Sequence, residues 1–171
     1  NLQDLSAEEH QIGKLPPEIA GLTQLHELSL EGNQIRELPP EIGKLSSLEV
    51  LNLKNNQLSK LPPEIVELEA LRNLYLDGNE FDEFPEELGQ MPQLRRLHIL
   101  GNRLKEIPHD IGNLVNLESL RLEVASLRDA DITNLGNLKS LHVLYLINTP
   151  VTPEQRDALQ TVLPDCRIKF R

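Results

Sequence analysis

The chain has 171 residues, 39% of them apolar, with only 3% aromatics and no tryptophan, which is enough for a continuous core filled by Leu and Ile. Its net charge of −10 comes from 27 acids against 17 bases, a balance that repels phosphate backbones and excludes nucleic acid as the expected partner. Cys166 is the only cysteine, which excludes an intramolecular disulfide and a cysteine-rich zinc site, and no apolar run of about 18 residues is present to span a membrane.

The N-terminal stretch takes its meaning from the repeats next to it. Residues 22–113 divide into four blocks of 23: LTQLHELSLEGNQIRELPPEIGK, LSSLEVLNLKNNQLSKLPPEIVE, LEALRNLYLDGNEFDEFPEELGQ and MPQLRRLHILGNRLKEIPHDIGN. Aligned on these, residues 1–21 read as a partial first repeat. Leu2, Leu5 and Ile12 fall on Leu25, Leu28 and Ile35, and His10 occupies the position of Asn33. No polar element precedes the first expected strand, and no signal peptide is visible before Asn1. This reads as an engineered boundary or a processed end of a longer product. The alternative is a strand edge covered by another chain, for which an edge-mediated homodimer is one form.

Each offset of the 23-residue block has a physical job. In Glu27-Leu28-Ser29-Leu30, alternation sends Leu28 and Leu30 inward and Glu27 and Ser29 outward, as in a half-buried strand. Asn33, Asn56, Asn79 and Asn102 then recur where the chain must bend back. A buried amide there can donate to and accept from the backbone of its own turn and the next, forming a structural ladder. Leu-Pro-Pro-Glu-Ile suits a short helical turn on the far side, with Pro at its first position and Glu at its positive end. One such block cannot bury its own apolar face, so a stack of turns must supply the core.

After residue 113 the pattern drifts. Residues 114–137 run to 24, Ala125 takes the Asn position, and LRDADITNLGN replaces the Leu-Pro-Pro segment, which allows a longer helix from about Asp129. The next unit keeps its strand and places Thr149 at the ladder position, where a hydroxyl can make part of the same bonds. Thr152-Pro153-Glu154-Gln155 is a capping box ahead of a Leu159, Val162, Leu163 stripe. Pro164 stops that helix, and Cys166–Phe170 alternates like a final strand, with Cys166 expected to be a small buried residue. The expected organisation is one domain over 1–171: a partial repeat at 1–21, regular repeats at 22–113, divergent repeats at 114–149 and a C-terminal helical cap at 150–171.

The L-x-x-L-x-L-x-x-N-x-L pattern with Leu-Pro-x-Glu-Ile turns resembles the leucine-rich-repeat proteins of the bacterial and plant type, closely over 22–113 and more loosely over 114–171. The resemblance implies an α/β leucine-rich-repeat solenoid, curved, with a parallel β-sheet on the concave face and short helical turns on the convex face. It also implies protein recognition. Several relatives join such repeats to a GTPase or a ubiquitin-ligase domain, but the chain has no G-x-x-x-x-G-K-[ST] loop and its lone Cys lies in the expected cap.

No catalytic, metal or cofactor site is expected. The five His residues lack metal-ligand spacing, and paired carboxylates on an open sheet have no cleft that excludes water. Asp77-Gly78-Asn79 resembles a calcium-loop fragment that the repeat itself explains. The outward strand positions are more informative. Residues 1–67 hold 11 acids and 5 bases, whereas residues 114–171 hold 7 of each. The outward columns follow suit: they start small and acidic, with Ser29 and Asn52 expected to face solvent. From Tyr75 onward they gain Arg96, His98, Leu100, Arg121, Val143, Tyr145 and Ile147, the residue types that anchor interfaces. These eight residues form the expected binding patch for a protein partner. A structural spacer or self-association region of a longer protein is the other reading.

Overall fold

The computed structural model describes residues 2–170. Eight short strands run in chain order through one parallel sheet: β1 (Asp4–Ser6), β2 (Glu27–Ser29), β3 (Val50–Asn52), β4 (Asn73–Tyr75), β5 (Arg96–Ile99), β6 (Ser119–Leu122), β7 (Val143–Leu146) and β8 (Arg167–Phe170). The register never slips, so Leu5, Leu28, Leu51, Leu74, Leu97, Leu120 and Leu144 are partners in one row. Because alternate side chains share a face, an in-register parallel sheet turns each sequence offset into a straight line of like residues. The result is a curved solenoid.

Behind the sheet lies one Leu/Ile core. Leu48, Leu51, Leu53, Leu58 and Ile65 of a single turn are all fully buried, and the turns on either side repeat them. A fully buried aliphatic side chain contributes about 1.5–3 kcal/mol of transfer free energy before entropy is charged against it, so stacking supplies what a lone turn lacks. On the convex side the Leu-Pro-Pro turns form five-residue 3-10 helices such as Pro40–Lys44, closed by Leu45 N–H donating to the Ile42 carbonyl at 3.2 Å. Pro39 is extended and Pro40 opens the helix, where a missing N–H costs nothing. At Gly43 a Cβ would sit 2.5 Å from the Glu64 carbonyl, so adjacent turns approach this closely only through glycine.

At the corner after β1–β5 and β7 one residue turns left-handed, and its identity explains the G/N-N pairs of the repeat. Gly32, Gly78 and Gly101 have φ of 71°, 67° and 64°, and Asn55 has φ 53°. Asn56 follows with the bonds that hold the corner. Its Nδ2 donates to the carbonyls of Leu30, Leu53 and Lys54 at 2.9, 3.1 and 3.1 Å, and its Oδ1 accepts from Ile35 N–H at 3.0 Å. Asn33, Asn79 and Asn102 make equivalent bonds. Asn102 alone is only half buried, because Ala125 follows it and offers no amide to continue the series.

The sixth turn is built differently. Val124 replaces the left-handed residue, is 1% exposed, and donates its N–H to Thr149 Oγ1 at 3.1 Å. The convex side now carries α1 (Asp129–Leu135) and α2 (Pro153–Val162), which pack on each other. Fully buried Asp131 anchors α1. Its carboxylate accepts from Arg128 N–H at 2.7 Å, from the Arg128 guanidinium at 2.9 and 3.1 Å, and from Ile107 N–H of the preceding turn at 3.1 Å. Burial pushes this carboxyl's pKa up, but the Arg128 and backbone donors outweigh it and hold the group below the usual carboxylate range. The capping box opens α2, Thr152 Oγ1 accepting from Gln155 N–H at 3.3 Å and Gln155 Oε1 accepting from Thr152 N–H at 3.0 Å. Leu159, Leu163 and Cys166 are buried beneath it, and β8 pairs with β7.

Candidate functional site

The concave face is read directly from the register. One row runs Ser6, Ser29, Asn52, Tyr75, His98, Arg121, Tyr145, Lys169, and its neighbour runs Asp4, Glu27, Val50, Asn73, Arg96, Ser119, Val143, Arg167. Two aromatic centres stand in the first row.

At the middle of the sheet the Tyr75 and His98 rings lie 4.9 Å apart at 60°, with Lys54 Nζ 4.9 Å above the Tyr75 ring. Asp77 sits beside them. Its Oδ1 accepts from Leu100 N–H at 2.8 Å, and its Oδ2 lies 3.9 Å from Lys54 Nζ and 4.0 Å from His98 Nδ1. Burial, together with the positive field of Arg121, Lys54 and Arg96, drives the His98 pKa down to about 4. The ring is therefore neutral at neutral pH, and its approach to Asp77 is not an ion pair. Burial likewise raises the Asp77 pKa, against the opposing pull of Leu100 N–H and Lys54. Asp77 Oδ1 and Asn79 Oδ1 thus each accept a backbone N–H of the repeat, from Leu100 and Leu58.

The second centre is Tyr145. Arg121 lies 4.7 Å and Lys169 Nζ 4.8 Å from its ring centroid, and Lys169 also donates to the hydroxyl at 3.2 Å. These cationic donors, Lys169 first, lower the Tyr145 pKa. Attraction of both cations to the one ring links the three side chains across β6, β7 and β8.

Of the eight expected patch residues, the structure brings Tyr75 to His98 and Arg121 to Tyr145. Arg96 is exposed in the neighbouring row and is separated from Val143 by Ser119. Leu100 and Ile147 follow β5 and β7 and are half-buried, with Glu123 between them in the column, so they do not form one apolar strip. Arg167 and Lys169 were missing from the expected patch. Their signal is the 24-residue step that separates them from Val143 and Tyr145, which is the same step that separates Val143 and Tyr145 from Ser119 and Arg121. Lys54 and Asp77 were legible as column positions but not as partners of the aromatic pair.

One expectation about the acidic end needs correcting. Ser29 and Asn52 do not face free solvent: Ser29 is 6% exposed and Asn52 is half-buried. Ser29 Oγ donates to Glu8 Oε1 at 2.5 Å, and Asn52 Nδ2 donates to Ser29 Oγ at 3.1 Å and Glu31 Oε2 at 2.9 Å. Cross-strand hydrogen bonding folds the neighbouring carboxylates over them.

The sequence matches the Leucine-rich repeat region family over residues 4–102 and a further Leucine Rich Repeat over residues 93–114. This chain belongs to the leucine-rich-repeat family, whose members serve generally as non-enzymatic protein-interaction modules. Among solved structures it is similar to a leucine-rich-repeat protein of Leptospira interrogans, at 29% identity and a TM-score of 0.67, covering 99% of this chain and 55% of that one. A plant peptide hormone receptor, RGFR1, solved in complex with RGF2, matches at 25% identity and a TM-score of 0.67, covering 99% of this chain and 32% of the receptor. An internalin from Listeria monocytogenes superposes at a TM-score of 0.83, covering 100% of this chain and 72% of the internalin; at 24% identity this shows the fold alone. The chain thus spans about half the length of the Leptospira protein it resembles. A search among curated protein sequences returned no match. No helix among the described residues is long and apolar enough to cross a membrane.

Proposed function

We propose that the chain is a non-catalytic recognition module that binds a protein partner on the concave face of its C-terminal half. Tyr75, Arg96, His98, Leu100, Arg121, Val143, Tyr145 and Ile147 form the contact surface, joined by Arg167 and Lys169. The observation that carries this reading is the Arg121–Tyr145–Lys169 arrangement, three large side chains from three adjacent strands joined by cation–π contacts. Aromatic and Arg anchors of this kind usually carry most of an interface's energy. The kinship with a peptide hormone receptor solved in complex with RGF2 supports recognition of a polypeptide. We read 1–171 as one unit in which 150–171 closes the core.

An alanine scan of the concave rows, against the partner captured from the native source, tests this. Tyr145→Ala or Arg121→Ala is expected to weaken binding by roughly 2 kcal/mol or more, and Ser6→Ala by little. Large losses confined to convex Glu41, Glu64 or His109 would remove the concave assignment. A second reading is edge-mediated pairing of two copies, favoured by the unpaired outer side of β1 among the described strands and by Leu2 at 46% exposure. Sedimentation of the chain across a concentration series separates that dimer from a monomer.

A further inference from the structure

Stacking places acid beside base over much of this molecule. Lys14 faces Glu37 at 3.7 Å, Lys44 faces Glu67 at 3.0 Å, Arg95 faces Glu118 at 3.4 Å and Lys105 faces Asp82 at 3.9 Å, each pair one turn apart. On the concave side of β5–β8 this compensation stops. Among the described residues, Arg96, Arg121, Arg167 and Lys169 have no carboxylate within 4.0 Å. They occupy two adjacent rows, with Tyr145 between Arg121 and Lys169. At the other end of the second row stand exposed Asp4 and Glu27, with no Lys, Arg or His side chain of the described residues within that distance. One row of the sheet therefore runs from acid at β1 and β2 to base at β5 and β8.

We propose that this face takes an extended, charge-bipolar peptide segment of a protein partner. Its Asp or Glu residues lie on Arg96, Arg121, Arg167 and Lys169, and its Lys or Arg residues lie on Asp4 and Glu27. The inference rests on the concave reading above and gives its ligand a chemistry. Guanidinium groups pair carboxylates through two parallel hydrogen bonds, which fixes direction as well as charge. Seven strand spacings of about 4.8 Å span about 34 Å, which an extended chain crosses in about ten residues. A second copy fits poorly, because two concave sheets facing each other meet only at their rims. A uniformly anionic nucleic acid would gain at β5–β8 and be repelled at β1 and β2.

The experiment pans the whole chain against a displayed library of random linear peptides about ten residues long. Enriched sequences are expected to carry acids at one end and bases at the other, and to lose about tenfold or more in affinity on the Arg121→Glu, Lys169→Glu double variant. Arg96→Glu, at an exposed site in the neighbouring row, serves as the second variant, and unchanged melting temperatures certify both folds. A peptide in which only the acids are replaced by lysines, its own bases kept opposite Asp4 and Glu27, is expected to regain binding on the double variant. Enriched peptides without charge polarity that still depend on Tyr145 would overturn this inference and leave the concave reading standing. Peptides indifferent to every concave substitution would sink both. The bipolar segment is also rejected by an absence of enrichment, by displacement with inorganic phosphate, or by a dimer that Arg121→Glu dissolves.

Discussion

The regular turns of 22–113 and the rebuilt turns of 114–170 solve the same problem with different chemistry. In the first region every corner is closed by an Asn amide and every convex side by a five-residue 3-10 helix. In the second, α1 and α2 take over the convex side, Thr149 replaces the amide, and the buried Asp131 ties the sixth turn to the fifth. The amide is neutral and satisfies donors and acceptors alike, so it repeats without electrostatic cost. A carboxylate serves only donors and must bring its own cation, so it suits a single junction. Concave chemistry changes earlier, at β4, from acids hydrogen-bonded to Ser and Asn towards cations stacked on Tyr75 and then on Tyr145.

The comparison can be broken most violently at its end. Deleting 150–171 removes α2 and β8 and uncovers the apolar side of β7 and α1. The expected outcome is loss of cooperative melting and association detectable by light scattering; a monomer with an unchanged melting temperature would show that the segment covers nothing essential. Asp131→Ala comes next. It leaves Ile107 N–H and Arg128 N–H without their acceptor, and a loss of roughly 2–4 kcal/mol in denaturant titration is expected. The Asp131 pKa is depressed by folding, so its contribution is present above about 3.8 and is lost as pH falls below that value. Asn56→Ala is expected to cost roughly 1–3 kcal/mol, and Asn102→Ala less, because the latter amide is half-exposed and ends the series. Equal losses at the two would contradict the ladder geometry.

The smallest effect is titration at the aromatic centre. Folding lowers the His98 pKa from 6.5 to about 4, so between those values the unfolded chain binds more protons and stability declines with acid. Asp77, raised by burial, works in the opposite sense: it favours the folded chain increasingly as pH drops through its folded value. In an Asp77→Asn background, His98→Gln is therefore expected to flatten the stability profile from pH 6.5 to 4. An unchanged slope would place the titrating group elsewhere.

Much of this architecture can be read from spacing. The 23-residue period yields the register of β1–β5, the four Asn corners and the Pro-opened convex turns, and the drift after 113 yields α1 near Asp129 and the capping box of α2. What escaped did so for physical reasons. Asp131 stands two residues from Asp129 in a polar stretch, and only the fold shows that one carboxylate faces a backbone donor from the preceding turn while the other faces water. Ser29 and Asn52 sit at outward positions, and their burial comes from side-chain hydrogen bonds across strands, which alternation does not encode. Arg167 and Lys169 lie beyond a ten-residue helix that hides the continuation of the period. The concave columns are legible as positions; their pairing of ring with cation is a property of side-chain conformation.

Cys166 gives the molecule an internal clock. It is the only thiol, is 4% exposed beneath α2, and burial raises its pKa. Alkylation requires the thiolate to meet reagent, so at neutral pH the labelling rate of this one atom reports how often the C-terminal end lifts from the stack. Neighbouring turns touch only each other, so fraying from that end is a local opening with its own free energy, separate from global unfolding. Compared across Asp131 and Asn56 variants, the labelling rate distinguishes a substitution that loosens the end from one that weakens the middle, with no added probe and without a denaturant.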